Sequence, residues 1–188
     1  MRNQQNESFN MRSSFDLSYV LTSVHSLCIT PFMRDGFGSH ALGISAVFAG
    51  AMIIFVGVVT QSPGMTDYFL LWLLAVIIQK CRTRHAMANG RGQHSQYGGW
   101  PVIALQFPLI RREYTAKRWI EPLICLAIGR IIYVASPAVG GFIMAGFISI
   151  AVSTGIEEMI WRARVRKLRD AQIEQQQLAQ MLKEMDQF

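Results

Sequence analysis

No charged side chain occurs between Ala41 and Thr60. That absence excludes a soluble amphipathic helix there, because such a helix shows water a polar stripe. Lys and Arg are also missing from residues 61–67 and from the short Ser136-Pro137 connection, so neither reads as a cytoplasmic loop. Glycine and proline are absent after Gly155, which leaves nothing to break a helix in the last thirty or so residues. Cysteine is scarce. Cys28, Cys81 and Cys125 are scattered without a pairing pattern, so reduced thiols are expected rather than a disulfide framework. Walker-type and dinucleotide-binding glycine patterns are missing too: Gly90-Arg91-Gly92 sits in a loop and follows no strand.

What the chain does have is apolar runs. The composition is 51% hydrophobic over 188 residues with a mean hydropathy of +0.25, and the apolar residues cluster. Stretches at about 41–60, 65–80, 120–136 and 138–156 approach the roughly twenty apolar residues that a spanning helix needs. The second is short, and reaches spanning length only if Lys80 snorkels to the interface. Between the second and third, Lys80, Arg82, Arg84, Arg91, Arg111, Arg112, Lys117 and Arg118 face a single acid, Glu113. Excess Lys and Arg mark the cytoplasmic side. The fold expected is an all-α membrane protein: a four-span transmembrane helical bundle at residues 35–156, a basic cytoplasmic loop at 81–118, and both termini cytoplasmic in a plasma or inner membrane. The polar amino terminus carries no apolar core of a cleaved signal, so the first span is expected to direct insertion.

Two flanking segments complete the organisation. Residues 1–34 hold a polar start and then an amphipathic helix, in which Leu17, Val20, Leu21, Val24 and Cys28 share one face and Ser18, Thr22, His25 and Ser26 the other. Ser14 can cap it and Pro31 ends it. It reads as an interfacial helix, with packing against the cytoplasmic ends of the bundle as the alternative. Residues 157–188 form a cytoplasmic helical tail. There Trp161, Arg164, Leu168, Ala171, Gln175, Leu178, Leu182 and Met185 recur at alternating spacings of three and four, a coiled-coil register with polar defects at Arg164 and Gln175. In the middle loop, residues 102–110 turn apolar again but are too few to span, and read as a surface or re-entrant segment with Trp100 at headgroup depth.

Helices in lipid associate through close approach of small residues. Gly141, Ala145, Ser149 and Ser153 make such a ridge on the fourth span, beside Gly140 and Gly146. Ala46 and Gly50, with Gly43 and Gly57, make a shorter one on the first. Two small-residue faces leave room for a homo-oligomer, and Leu168, Leu178, Leu182 and Met185 offer the tail a second means of association. Arg130 stands near the centre of the third span, where insertion costs about 2.5–3.5 kcal/mol and an ionisable group is a functional candidate by default.

Short strings in the chain resemble enzyme motifs. Gly43-Ile44-Ser45-Ala46 resembles the Gly-x-Ser of rhomboid proteases, but no second span supplies a His to activate Ser45. Glu157-Glu158-Met159-Ile160-Trp161-Arg162 is similar to the EExxxR string of CAAX-type intramembrane metalloproteases, and His85 with Asn89 to their HxxxN element. Here nothing membranous follows the glutamates. Cys81, His85 and His94 could ligate a metal, yet no fourth ligand and no zinc spacing is evident, so no cofactor is expected. The net charge of +6 is accounted for by topology and by anionic lipid at the basic flanks. Nucleic acid is not the expected partner, because no RNP-like, zinc-finger or helix-turn-helix pattern accompanies the charge.

The function expected is therefore non-catalytic: an oligomeric anchor or scaffold that engages a cytoplasmic partner or anionic lipid. Arg82, Arg84, Arg111 and Arg112 in segment 81–118, and Arg162, Arg164, Arg166 and Lys167 in segment 157–188, supply the contacts. One alternative is a small channel or transport subunit with Arg130 near a pore formed by several protomers. An intramembrane metal-dependent hydrolase is the other.

Overall fold

A computed structural model of the chain describes residues 17–90, 97–106 and 113–185, with the backbone alone at 105, 114 and 182–185. It is an all-α structure, about 85% helical. Residues 17–27 form helix α1. Then come α2 (Thr30–Met33), β1 (Arg34–Asp35), α3 (Ile44–Thr60), α4 (Pro63–Ala88), β2 (Trp100–Pro101), α5 (Val102–Leu105), α6 (Glu113–Thr115), a π-helical turn (Ala116–Ile120), α7 (Glu121–Ala135) and α8 (Pro137–Met185). The chain divides into two compact units, one ending at Ser153 and the other starting at Thr154.

In the first unit the principal helices coincide with the apolar runs, and proline sets where they begin. Pro31, Pro63 and Pro122 each occupy the first positions of their helices, where φ is already helical. Only Gln61 and Ser62 separate α3 from α4. Gln61 closes α3 in the left-handed region at φ 49°, an ending that glycine more often supplies. Ser136 alone separates α7 from α8. It is extended, and it accepts from the Gly140 N–H at 2.9 Å.

Among the described residues two helices, α4 and α8, are long and apolar enough to cross a membrane. Helix α4 runs to Ala88, a full two turns past Lys80, so the second apolar run is longer as a helix than its composition suggested. Helix α3 has 17 residues and α7 has 15. The helical path into α7 starts at Glu113, through the π turn, so its backbone extends further than α7 alone. Pro122 explains the π turn: it has no N–H for the preceding turn, and the Glu121 N–H instead closes onto the Ala116 carbonyl five residues back.

The segment around Pro31 lies inside the helical body. His25, Ser26, Cys28, Ile29, Thr30, Met33 and Arg34 are buried. On α1, His25 and Ser26 from the polar face turn inward while Leu17, Val20 and Leu21 from the apolar face stay exposed. One face of α4 holds this segment by its carbonyl groups. Tyr68 Oη donates to Cys28 O at 2.8 Å, Trp72 Nε1 to Leu27 O at 3.0 Å, Gln79 Nε2 to Arg34 O at 2.7 Å and to Pro31 O at 3.3 Å, and Thr83 Oγ1 to Phe37 O at 2.9 Å. A two-residue antiparallel ladder, Arg34 with Pro101 and Asp35 with Trp100, ties the same segment to the far end of the middle loop.

Small residues set the helix approaches. A Cβ at Gly140 would collide with the backbone of Tyr133, one at Gly129 would meet Met144, and one at Gly146 would strike Ile29. The closest crossing of α7 and α8 thus uses Gly129 and Gly140. Gly141 would meet nothing within 4 Å, and Ala145 is exposed. Ser149 and Ser153 of the same ridge are buried. On α3, Ala46 and Gly50 are buried, with Gly50 against the Trp72 ring. Gly43 precedes the first turn and faces the His40 carbonyl.

The second unit is helical from Thr154 to Met185 without interruption. Its apolar side chains Trp161, Val165, Leu168, Ile173, Leu178 and Met181 are exposed. Glu158 pairs with Arg162 one turn on, and Arg164 lies over the Trp161 ring at 5.7 Å.

Candidate functional site

The strongest concentration of buried charge lies where β1, the end of the middle loop and the start of α7 meet. Arg34 Nε donates to Glu121 Oε1 at 3.1 Å and Oε2 at 2.9 Å, and Nη2 donates to Oε2 at 2.6 Å. The Arg34 side chain is 6% exposed and that of Glu121 0%. Arg34 Nη1 also donates to Gly98 O at 3.2 Å. A planar guanidinium meeting a carboxylate through two nitrogens is the geometry in which burial of both charges is tolerated. Local structure places each partner: Arg34 is fixed by the ladder to Pro101, and Glu121 sits at the exit of the π turn. Gly99, at φ +85°, brings the loop backbone close, since a Cβ there would press on Arg34 Cβ.

A second group adjoins it. Glu113 Oε1 accepts from Tyr97 Oη at 2.5 Å and from Lys117 Nζ at 2.6 Å, and Lys117 Nζ lies 4.6 Å from the centroid of the Tyr97 ring. Burial raises the Tyr97 phenol, and the hydrogen bond to Glu113 raises it further. Burial alone would push the Glu113 carboxyl up, but hydrogen bonds from Lys117 and Tyr97 bring it below its ordinary value. Burial and the nearby Arg34 charge hold Lys117 below its ordinary value, against the pull of Glu113. Among the described residues Glu113 and Lys117 are paired, and the Tyr97–Glu113 bond ties the middle loop to the start of the helical path into α7. Two buried side-chain atoms, Thr30 Oγ1 and Gln79 Oε1, have no hydrogen-bond partner among the described residues.

A Ser–His contact that spacing did not reveal joins α1 to α8. His25 Nδ1 lies 2.7 Å from Ser149 Oγ, with the His25 ring edge-on to Phe142 at 4.5 Å. Both residues are buried. An apolar crevice of about 230 Å³ lined by Ile29, Phe32, Met33, Tyr68, Leu71, Cys125, Ile128, Ile132 and Ile143 includes neither of them. The contact therefore satisfies two polar groups at a helix crossing. Ser45, the serine of the Gly-x-Ser string, donates to Ala41 O at 3.0 Å.

The residues singled out by sequence fall in several places. Arg130 is exposed on α7, and among the described residues it has no hydrogen bond or ion pair. Arg82 pairs with Asp35 at 3.1 Å, with both side chains largely exposed; Arg84 is exposed. Arg162, Arg164, Arg166 and Lys167 are on the exposed tail helix. Arg111 and Arg112 lie outside the described residues, as does His94. Cys81 and His85 are exposed, and His85 Nε2 is 3.1 Å from Asn89 Nδ2. Among the described residues no group of three His, Cys, Asp or Glu is placed to hold a metal ion. Glu158 of the EExxxR string is engaged by Arg162. The three cysteines are free thiols.

Arg34 and Glu121 were not singled out together by sequence. Both are charged residues that flank apolar runs, and Glu121 adjoins Pro122. Nothing local says that they meet across 87 positions. No protein-family model matches the chain, and no curated protein or solved structure matches it either.

Proposed function

We propose that this chain is a multi-pass membrane protein with four spans, α3, α4, α7 and the first half of α8, acting as a non-catalytic oligomeric scaffold. Its basic middle loop and its tail engage anionic lipid or a cytoplasmic partner, and the amino-terminal helix lies at the same interface. One observation carries the reading: the distribution of polarity across the helical body is inverted. Val47 is 71% exposed, Phe55 67%, Leu71 59%, Ile131 73% and Ile148 62%, whereas Arg34, Gln79, Glu121 and Ser149 are buried. Water penalises such an outer surface. A bilayer favours it, and also demands the internal pairing of carbonyl and charged groups that α4 and Glu121 provide.

The test is a set of reporter fusions near residues 62, 95 and 136, with extraction of the membrane fraction at alkaline pH. Signal at 95 from the cytoplasmic side, signal at 62 and 136 from the outer side, and retention in the membrane pellet are expected. An external signal at 95, or release of the protein without detergent, refutes the topology. For the scaffold role, deletion of residues 168–188 is expected to preserve insertion while lowering oligomer mass or partner recovery; unchanged mass and partners refute it.

The exposure of Arg130 favours one second reading, a channel or transport subunit. A cation on the outer surface of a single chain can line water only where protomers meet. Reaction of Arg130→Cys with a water-soluble thiol reagent in intact membranes supports a pore, and complete protection counts against it.

A further inference from the structure

We infer that the tail helix pairs with the tail of a second copy in antiparallel orientation, in a single register. This rests on the self-association proposed above and adds its geometry. The tail is one uninterrupted helix whose seam residues Leu168 and Leu178 are 71% and 53% exposed. Among the described residues of its own unit there is no second helix to cover them. Most helical stability in proteins comes from packing an apolar face, and heptad spacing is what a facing helix reads.

The orientation follows from the two defects in the seam and from the charges beside it. In a parallel pair, Arg164 faces Arg164 of the second copy in a desolvated layer, and Gln175 faces Gln175. The flanking Lys167 and Glu174 meet only Gln172 and Ala179 and gain nothing. Reversing one helix so that Leu168 packs against Ala171 of the second copy changes the layers between Trp161 and Leu178 together. Arg164 then lies opposite Gln175, whose side-chain oxygen accepts from a guanidinium. Trp161 lies opposite Leu178. Lys167 and Glu174, flanking the seam on the same side, meet as two symmetric ion pairs, because a two-fold interface repeats each contact. Such flanking charges set partner and orientation in paired helices.

The register is equally constrained. Sliding the antiparallel pair by one heptad in one direction sets Glu174 against Glu174, and in the other sets Lys167 against Lys167. Both slips replace an attraction by a repulsion, the form in which specificity is enforced against alternatives. The basic stretch from Arg162 to Arg169 thereby lies along the Asp170 and Glu174 half of its mate, whereas a parallel pair would stack like against like.

Disulfide trapping in the full-length protein, in its native membrane and with only the exposed Cys81 replaced by Ser, tests the geometry. Chains carrying Trp161→Cys and chains carrying Leu178→Cys, differently tagged and co-expressed, are expected to yield the mixed disulfide, while neither yields a disulfide with itself. Self-linkage of Leu178→Cys would overturn the antiparallel arrangement and leave self-association standing. Oligomeric mass without any tail disulfide would overturn tail pairing alone, and monomeric mass would overturn both. A second measurement avoids introduced thiols: Lys167→Glu is expected to reduce oligomer mass and Lys167→Glu with Glu174→Lys to restore it. No rescue by the double exchange would remove the proposed ion pairs.

Discussion

Trp72 donates its indole N–H to the carbonyl of Leu27 at 3.0 Å, the carbonyl whose helical donor would have been the N–H of residue 31. Pro31 has none. The next carbonyl, that of Cys28, is also left over, because the Phe32 N–H bonds to Ile29 O in a tighter turn; Tyr68 takes it. A proline that ends α1 inside the helical body thus creates two orphan acceptors, and α4 carries two aromatic donors one turn apart to meet them.

Trp72→Phe keeps the ring and removes the donor, so it is expected to destabilise the protein by about 1–3 kcal/mol, the cost of an unsatisfied buried carbonyl. Adding Pro31→Ala returns an N–H to position 31 and is expected to reduce the loss. The thermal midpoints of the four proteins in one detergent give the coupling. Equal losses with and without Pro31 would show that the orphan carbonyl is not what Trp72 answers.

Breaking the Arg34–Glu121 pair from either side takes from a buried charge its opposite charge. Glu121→Gln and Arg34→Met are each expected to cost about 3–5 kcal/mol. The double change, Arg34→Met with Glu121→Leu, removes both charges and is expected to recover most of that loss. Thermal unfolding of the solubilised proteins measures it, and additive losses would deny the pairing.

Glu113 makes stability sensitive to acid. Its folded value lies below the ordinary 4.5, so the unfolded chain takes up the proton first. The contribution is fully present above 4.5 and is lost as pH falls below it, through the folded value. Glu113→Gln is expected to flatten that part of a midpoint-against-pH profile. An unchanged profile would place the acid sensitivity elsewhere.

The two adjacent glycines of α8 are expected to behave oppositely. Gly140→Leu collides with the Tyr133 backbone and should abolish recovery of folded protein. Gly141→Leu meets open space and should leave the fold intact, with any fall in oligomer mass marking an interface at that ridge. Folded, stable Gly140→Leu protein would contradict the α7–α8 crossing.

The helices were legible in sequence because apolar runs, prolines and the absence of breakers are local features: α3, α4, α7 and the start of α8 fall on the four runs. The same reasoning ordered the small residues of α8 less well. Four-residue spacing joins Gly141 to Ser153 in one ridge, but the close approaches fall on Gly140, where α7 crosses, and on Gly146, where Ile29 packs. The amphipathic face of α1 was similarly visible, yet which face turns inward depends on what waits there, and Ser149 receives His25.

Composition and order along the chain determined by themselves that this protein is helical, where its apolar rods begin, and that its tail carries a heptad seam, since propensity and periodicity act over a few residues. Tertiary structure alone decided that Arg34 meets Glu121 and that Trp72 and Tyr68 answer Pro31. Those pairings join segments tens of residues apart, and a buried polar group is satisfied by whatever the folded chain brings within about 3 Å of it, wherever that lies in sequence.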